Sequence, residues 1–118
     1  MNLHVKNGGV YKHFKGTNYV VVCVATDSKG YDYVVYYASN DRKKKKTLFA
    51  RPIDMFKSKV DKVKYPDANQ EKRFQYQGKH VEVNIDSLAT DKVTHTEATE
   101  AFFKLKQRGE QWLLCRLS

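Results

Sequence analysis

Tyr19-Val20-Val21-Val22-Cys23-Val24-Ala25 is a nearly continuous β-branched run, and its reading decides the fold class. β-Branched side chains lose χ1 freedom in a helix and pack well on a pleated surface, so the run predicts a strand covered on both faces. Asp27-Ser28-Lys29-Gly30 follows with turn chemistry, and Tyr31 to Ala38 resumes a β-favouring pattern. Together they predict an antiparallel hairpin over residues 19–38.

Upstream, Gly8-Gly9 opens a turn, and Val10-Tyr11-Lys12-His13-Phe14 alternates before Lys15-Gly16-Thr17-Asn18 turns the chain again. That reads as a short strand. Downstream, Thr47-Leu48-Phe49-Ala50-Arg51 predicts a further meander strand ended by Pro52, and Pro52-Ile53-Asp54-Met55-Phe56 a single helical turn with Pro at its first position. Residues 57–73 are polar and irregular, an internal connection rather than a linker. From His80, Val81, Val83 and Ile85 alternate with polar neighbours, which predicts a half-exposed strand over 76–85. Thr94-His95-Thr96-Glu97 has the spacing of a capping box. Ala98, Ala101, Phe102 and Leu105 then recur at helical spacing up to Gly109, so a helix is expected here. Residues 110–117 read as a closing strand. The class is mostly β (α+β): a small twisted sheet or partly open barrel, with one helix in the C-terminal half and a closing strand.

A chain of 118 residues supports one hydrophobic core, so residues 1–118 are read as a single domain. No stretch approaches the length of a spanning helix and the start lacks an apolar leader, so a cytoplasmic protein without membrane contact is expected. Cys23 and Cys115 sit in apolar runs and are read as buried thiols. Lys and Arg total 22 against 13 Asp and Glu, a formal charge of +9. That balance favours phosphate-bearing partners, and it equally suits a basic protein that binds no nucleic acid at all.

Tyr11-Lys12-His13-Phe14-Lys15-Gly16, Tyr33-Val34-Val35-Tyr36-Tyr37 and Ala50-Arg51-Pro52-Ile53-Asp54-Met55-Phe56 occur in that order in the first half of the chain. The set resembles a short bacterial and phage domain family of unknown function, marked by a Tyr-x-His-Phe-Lys-Gly opening and an Arg-Pro-x-x-Met-Phe close. The resemblance implies a small barrel similar to the Src-homology-three type over residues 9–57; the remainder of the chain does not match, and 74–118 is read from its own pattern as a strand–helix–strand extension packed on the barrel. It gives Tyr11, His13, Phe14, Gly16, Arg51, Pro52, Met55 and Phe56 as signature positions of structural role, with His13 expected to bond Arg51 or a backbone carbonyl.

Two features carry the partner argument. Arg42-Lys43-Lys44-Lys45-Lys46 concentrates charge at a hairpin tip, where phosphate contacts would release counterions; the other reading is a solvated loop that protects a strand edge. Tyr11, Tyr31, Tyr33, Tyr36, Tyr37 and Tyr76 offer faces for base stacking beside Lys12, Lys15 and Arg73, or else they pack the core. The anion-binding candidates are thus Arg42 to Lys46, Lys12, Lys15, Arg73, Tyr31, Tyr36 and Tyr37.

His4, His13, His80 and His95 are scattered without zinc-ligand spacing, so no metal and no cofactor are expected. A Cys23–histidine nucleophile is disfavoured by the apolar strand around the thiol, and no nucleophile motif occurs. The expected function is a non-catalytic module for nucleic acid or another phosphate-bearing ligand. The alternative is a phage or mobile-element protein that inhibits a host factor or sequesters a nucleotide signal. A small hydrolase acting on a phosphorylated ligand is a third, weaker reading. Oligomeric state is open.

Overall fold

The computed structural model describes residues 5–26, 29–95, 102–106 and 112–116. Four strands, β1 (Gly9–His13), β2 (Asn18–Thr26), β3 (Asp32–Ala38) and β4 (Lys46–Pro52), form an antiparallel meander. The hairpin expected over 19–38 is present, with Tyr19 opposite Ala38 and Thr26 opposite Asp32, and a bulge between Val21 and Cys23. A single helical turn, α1 (Ile53–Phe56), follows β4, with Pro52 capping it rather than opening it.

After the connection, β5 (Phe74–His80) pairs antiparallel with the outer edge of β1, and β6 (Leu88–His95) pairs parallel with β4. The sheet order is β5-β1-β2-β3-β4-β6. β7 (Phe102–Lys106) joins the far end of β2 through Ala25 and Thr26, and β8 (Trp112–Arg116) pairs with β7. The architecture is mostly β, a mixed sheet that stays open among the described residues. None of their helices is long and apolar enough to cross a membrane.

Two expectations need correction. Thr94 and His95 end β6, and Phe102 to Lys106 form β7, so the helix expected from Thr94 is replaced by strands where the chain is described; residues 96–101 and 107–111 lie outside the described residues. Pairing with β4 places Val93 opposite Leu48, and both are fully buried, a tertiary gain that outweighs a local capping pattern. The strand expected to run to Ile85 stops at His80, because its partner β1 begins opposite it at Gly9. A short 3-10 turn, Ile85–Ser87, follows, and Val81 is exposed.

Both faces of the sheet are covered, as the β-branched run requires. On one face Val20, Val22, Val35 and Leu48 pack with Leu88 and Val93. On the other, Val21 and Val34 lie under an aromatic layer of Tyr11, Tyr36, Phe56 and Phe74. Phe56 stacks on Phe74 with ring centroids 4.1 Å apart and planes 11° apart, which fixes α1 against β5. Cys23 is buried in the first core.

A basic cup on the aromatic face

β1 ends at His13, and the turn that follows is closed by His13 N–H donating to the Thr17 carbonyl and Gly16 N–H to the His13 carbonyl. Gly16 takes φ +115°, which L side chains rarely adopt, and this places Phe14 and Lys15 on the outside of a tight turn. β5 brings Phe74 opposite His13, so Arg73 arrives beside that turn, its carbonyl accepting from Phe14 N–H over 3.0 Å. β4 contributes Arg51.

These segments enclose a cavity of about 390 Å³. Its polar lining is His13, Lys15, Thr17, Arg51 and Arg73 with the phenols of Tyr19, Tyr36 and Tyr65; Phe14 and Phe74 supply apolar wall. The lining contains no carboxylate, thiol or serine.

Each guanidinium is held from behind. Arg51 Nε donates to the Tyr36 hydroxyl over 3.1 Å, and its guanidinium carbon lies 5.6 Å from the centre of the Phe74 ring. Arg73 Nε donates to Ser58 Oγ over 3.0 Å, and that hydroxyl donates to the Met55 carbonyl over 2.7 Å. Among the described residues the terminal nitrogens of both guanidiniums donate to no protein acceptor and meet no carboxylate. Burial raises the Tyr36 phenol above its usual range, so it stays protonated, and with Arg51 donating to its oxygen its own hydrogen is left to donate.

His13 reports the field in the cup. Burial first, then the charges of Arg51, Arg73 and Lys15, lower its pKa to about 4. Its Nδ1 accepts from Lys15 N–H over 3.1 Å, so the neutral ring carries its proton on Nε2. The bond seen for His13 is thus from the Lys15 N–H rather than to Arg51 or a carbonyl, and burial and the neighbouring guanidiniums keep the ring neutral.

The two motif segments therefore meet at one place. Tyr11 packs edge-on against Phe56 at 5.3 Å, Pro52 ends β4 just after Arg51, and the Met55 carbonyl anchors the hydroxyl that orients Arg73.

The other candidates separate. Arg42 to Lys45 are exposed between β3 and β4, with Lys46 half-buried at the start of β4. Their loop is organised by Asp41, whose carboxylate accepts from the N–H of Lys43 and Thr47 and pairs with Lys43 Nζ at 3.0 Å. Lys45 Nζ donates to the Asp86 carbonyl and Lys46 Nζ to the Lys43 carbonyl. Tyr36 and Tyr37 are 3% and 6% exposed, one on each covered face, so neither offers a surface for base stacking. Tyr31 is 65% exposed but sits at the opposite end of β3 from the lysine-rich tip, roughly 20 Å away along the strand. Lys12 is exposed on β1 and does not line the cup, whereas Lys15 and Arg73 do. Arg51, Tyr65 and Phe74 were not singled out as ligand contacts by sequence, because they lie far apart in the chain and only strand pairing assembles them.

No curated protein and no solved structure matches the chain. Residues 9–76 match the family described as a protein of unknown function (DUF1653), a span that runs past residue 57 to include Tyr65, Arg73 and Phe74. The chain belongs to the DUF1653 family.

Proposed function

We propose that this protein is a non-catalytic binding module whose cup takes a phosphate-bearing ligand. The observation that carries the reading is the pair of half-buried guanidiniums, Arg51 and Arg73, oriented through Tyr36 and Ser58 with their terminal nitrogens unpaired among the described residues. Planar forks held this way suit bidentate contact with phosphate oxygens, and pre-orientation reduces the entropy lost on binding. Lys15, the Tyr36 hydroxyl and the protonated Nε2 of His13 add donors. Binding is favoured over catalysis because the lining holds no carboxylate, thiol or serine, and His13, with a pKa of about 4, is the neutral imidazole at neutral pH and no imidazolium acid.

Titration calorimetry with inorganic phosphate at low ionic strength tests this. Saturable binding is expected, weakening as salt rises and abolished in Arg51→Gln/Arg73→Gln. A wild-type protein that takes up no phosphate sinks the reading.

A further inference from the structure

Across Phe74 from the cup lies a second cavity of about 190 Å³, lined by Lys6, Lys57 and Lys72 with the rings of Tyr11, Phe56 and Tyr76. It too lacks a carboxylate in its lining. Phe74 lines both cavities, and the consecutive residues Lys72 and Arg73 serve opposite ones, Lys72 the second and Arg73 the cup. Beside it the Tyr76 ring is 38% exposed and rests against Tyr11 at 5.3 Å, with Lys6 Nζ 5.7 Å from its centre.

Building on the cup reading, we infer that the ligand is a single strand of nucleic acid whose successive phosphates straddle Phe74, one in the cup and the next among Lys6, Lys57 and Lys72. The Phe74 ring meets Phe56 of the second cavity and Arg51 of the cup, so the two anion sites suit phosphates set farther apart than those of a diphosphate, whose phosphorus atoms share one oxygen. Phosphates one nucleoside apart can reach both. The exposed Tyr76 ring is the stacking platform for the base between them, the combination of cationic track and aromatic face that single strands need. This gives the stacking role to Tyr76 and withdraws it from Tyr36 and Tyr37, whose rings are interior. A duplex would bury its bases from that ring.

The probes are inorganic phosphate, pyrophosphate, thymidine monophosphate and the 5′-phosphorylated thymidine dinucleotide, titrated against wild type, Lys57→Gln/Lys72→Gln and Tyr76→Leu. Lys57 and Lys72 are exposed, so the double variant keeps the fold. The dinucleotide should bind wild type roughly tenfold more tightly than the monophosphate or pyrophosphate, and lose that advantage in both variants, as loss of one stacked base implies. Inorganic phosphate should bind the cup of all three proteins alike, since neither lysine nor Tyr76 lines it. The salt dependence for the dinucleotide should fall by roughly 0.7 in log–log slope for the contact removed in the lysine variant. A dinucleotide no tighter than pyrophosphate, or one unaffected by the lysine change, overturns the second site while leaving the cup standing. A wild type blind to inorganic phosphate overturns both.

Discussion

Arg51 reaches from β4 to the Tyr36 hydroxyl on β3, a 3.1 Å bond between a half-buried cation and a ring that is 3% exposed. The bond fixes one edge of the guanidinium and leaves the other facing the cup. Tyr36→Phe removes the acceptor without changing the packing volume much, and is expected to cost about 1 kcal/mol of stability, read by urea denaturation. Arg51→Lys keeps the charge and loses the planar fork, so phosphate affinity should fall by roughly tenfold, the difference of one bidentate contact. Equal phosphate affinity in Arg51→Lys would mean that the fork plays no part.

His13 gives the cup a pH signature. Its folded pKa of about 4 lies below its ordinary 6.5, so the folded state favours the neutral ring. Above 6.5 both states are neutral. As pH falls from 6.5 towards 4 the unfolded chain binds a proton that the folded chain lacks, and stability declines across that window. Arg51→Gln removes one of the opposing charges and should raise the His13 pKa, which a ring-proton NMR titration measures; a pKa unchanged in that variant contradicts the assignment of the field to Arg51.

The lysine-rich loop has its own anchor. The Lys43 N–H, chiefly, with Lys43 Nζ and the Thr47 N–H, holds the Asp41 carboxyl at about 2, below its ordinary 3.8. This stabilisation is present above pH 3.8 and is lost as pH drops towards 2. Asp41→Ala leaves two backbone donors unmet and should cost about 1–2 kcal/mol, as loss of a capping carboxylate does, with amide exchange rising at Lys43 and Thr47. Unchanged exchange at both amides would show that Asp41 does not organise the loop.

Phe74 lines both cavities, and Phe56, stacked on it, lines the second. Phe56→Ala should destabilise the domain by about 3–5 kcal/mol, the usual cost of deleting a buried ring, whereas Phe56→Leu should cost far less and preserve phosphate binding. Thermal unfolding of the two variants side by side separates them, and equal stability would place Phe56 outside the core.

Much of the meander was legible because strand and turn signals there are local: β-branched runs, alternation, and Gly or Asp at the reversals. The C-terminal segment misled because Thr94 to Glu97 imitates a helix start while Leu88 to His95 gains more by pairing with β4, a contact between residues distant in sequence. Alternation correctly divided Tyr37 from Tyr36, but with both faces covered each ring is interior. The cup escaped for a related reason. His13 meets Phe74 through strand pairing and Arg73 meets Ser58 across the connection, so neither local spacing nor charge runs reveal a site made of single basic residues. The dense run at Arg42 to Lys46 drew the reading instead.

Protein NMR during addition of inorganic phosphate tests the cup most directly. The side-chain Nε–H signals of Arg51 and Arg73 and the ring protons of His13 should shift together and saturate, with the His13 pKa climbing towards its ordinary value as bound anion offsets the two guanidiniums. Shifts confined to the Arg42–Lys46 loop, or a His13 that titrates identically with and without phosphate, would contradict it.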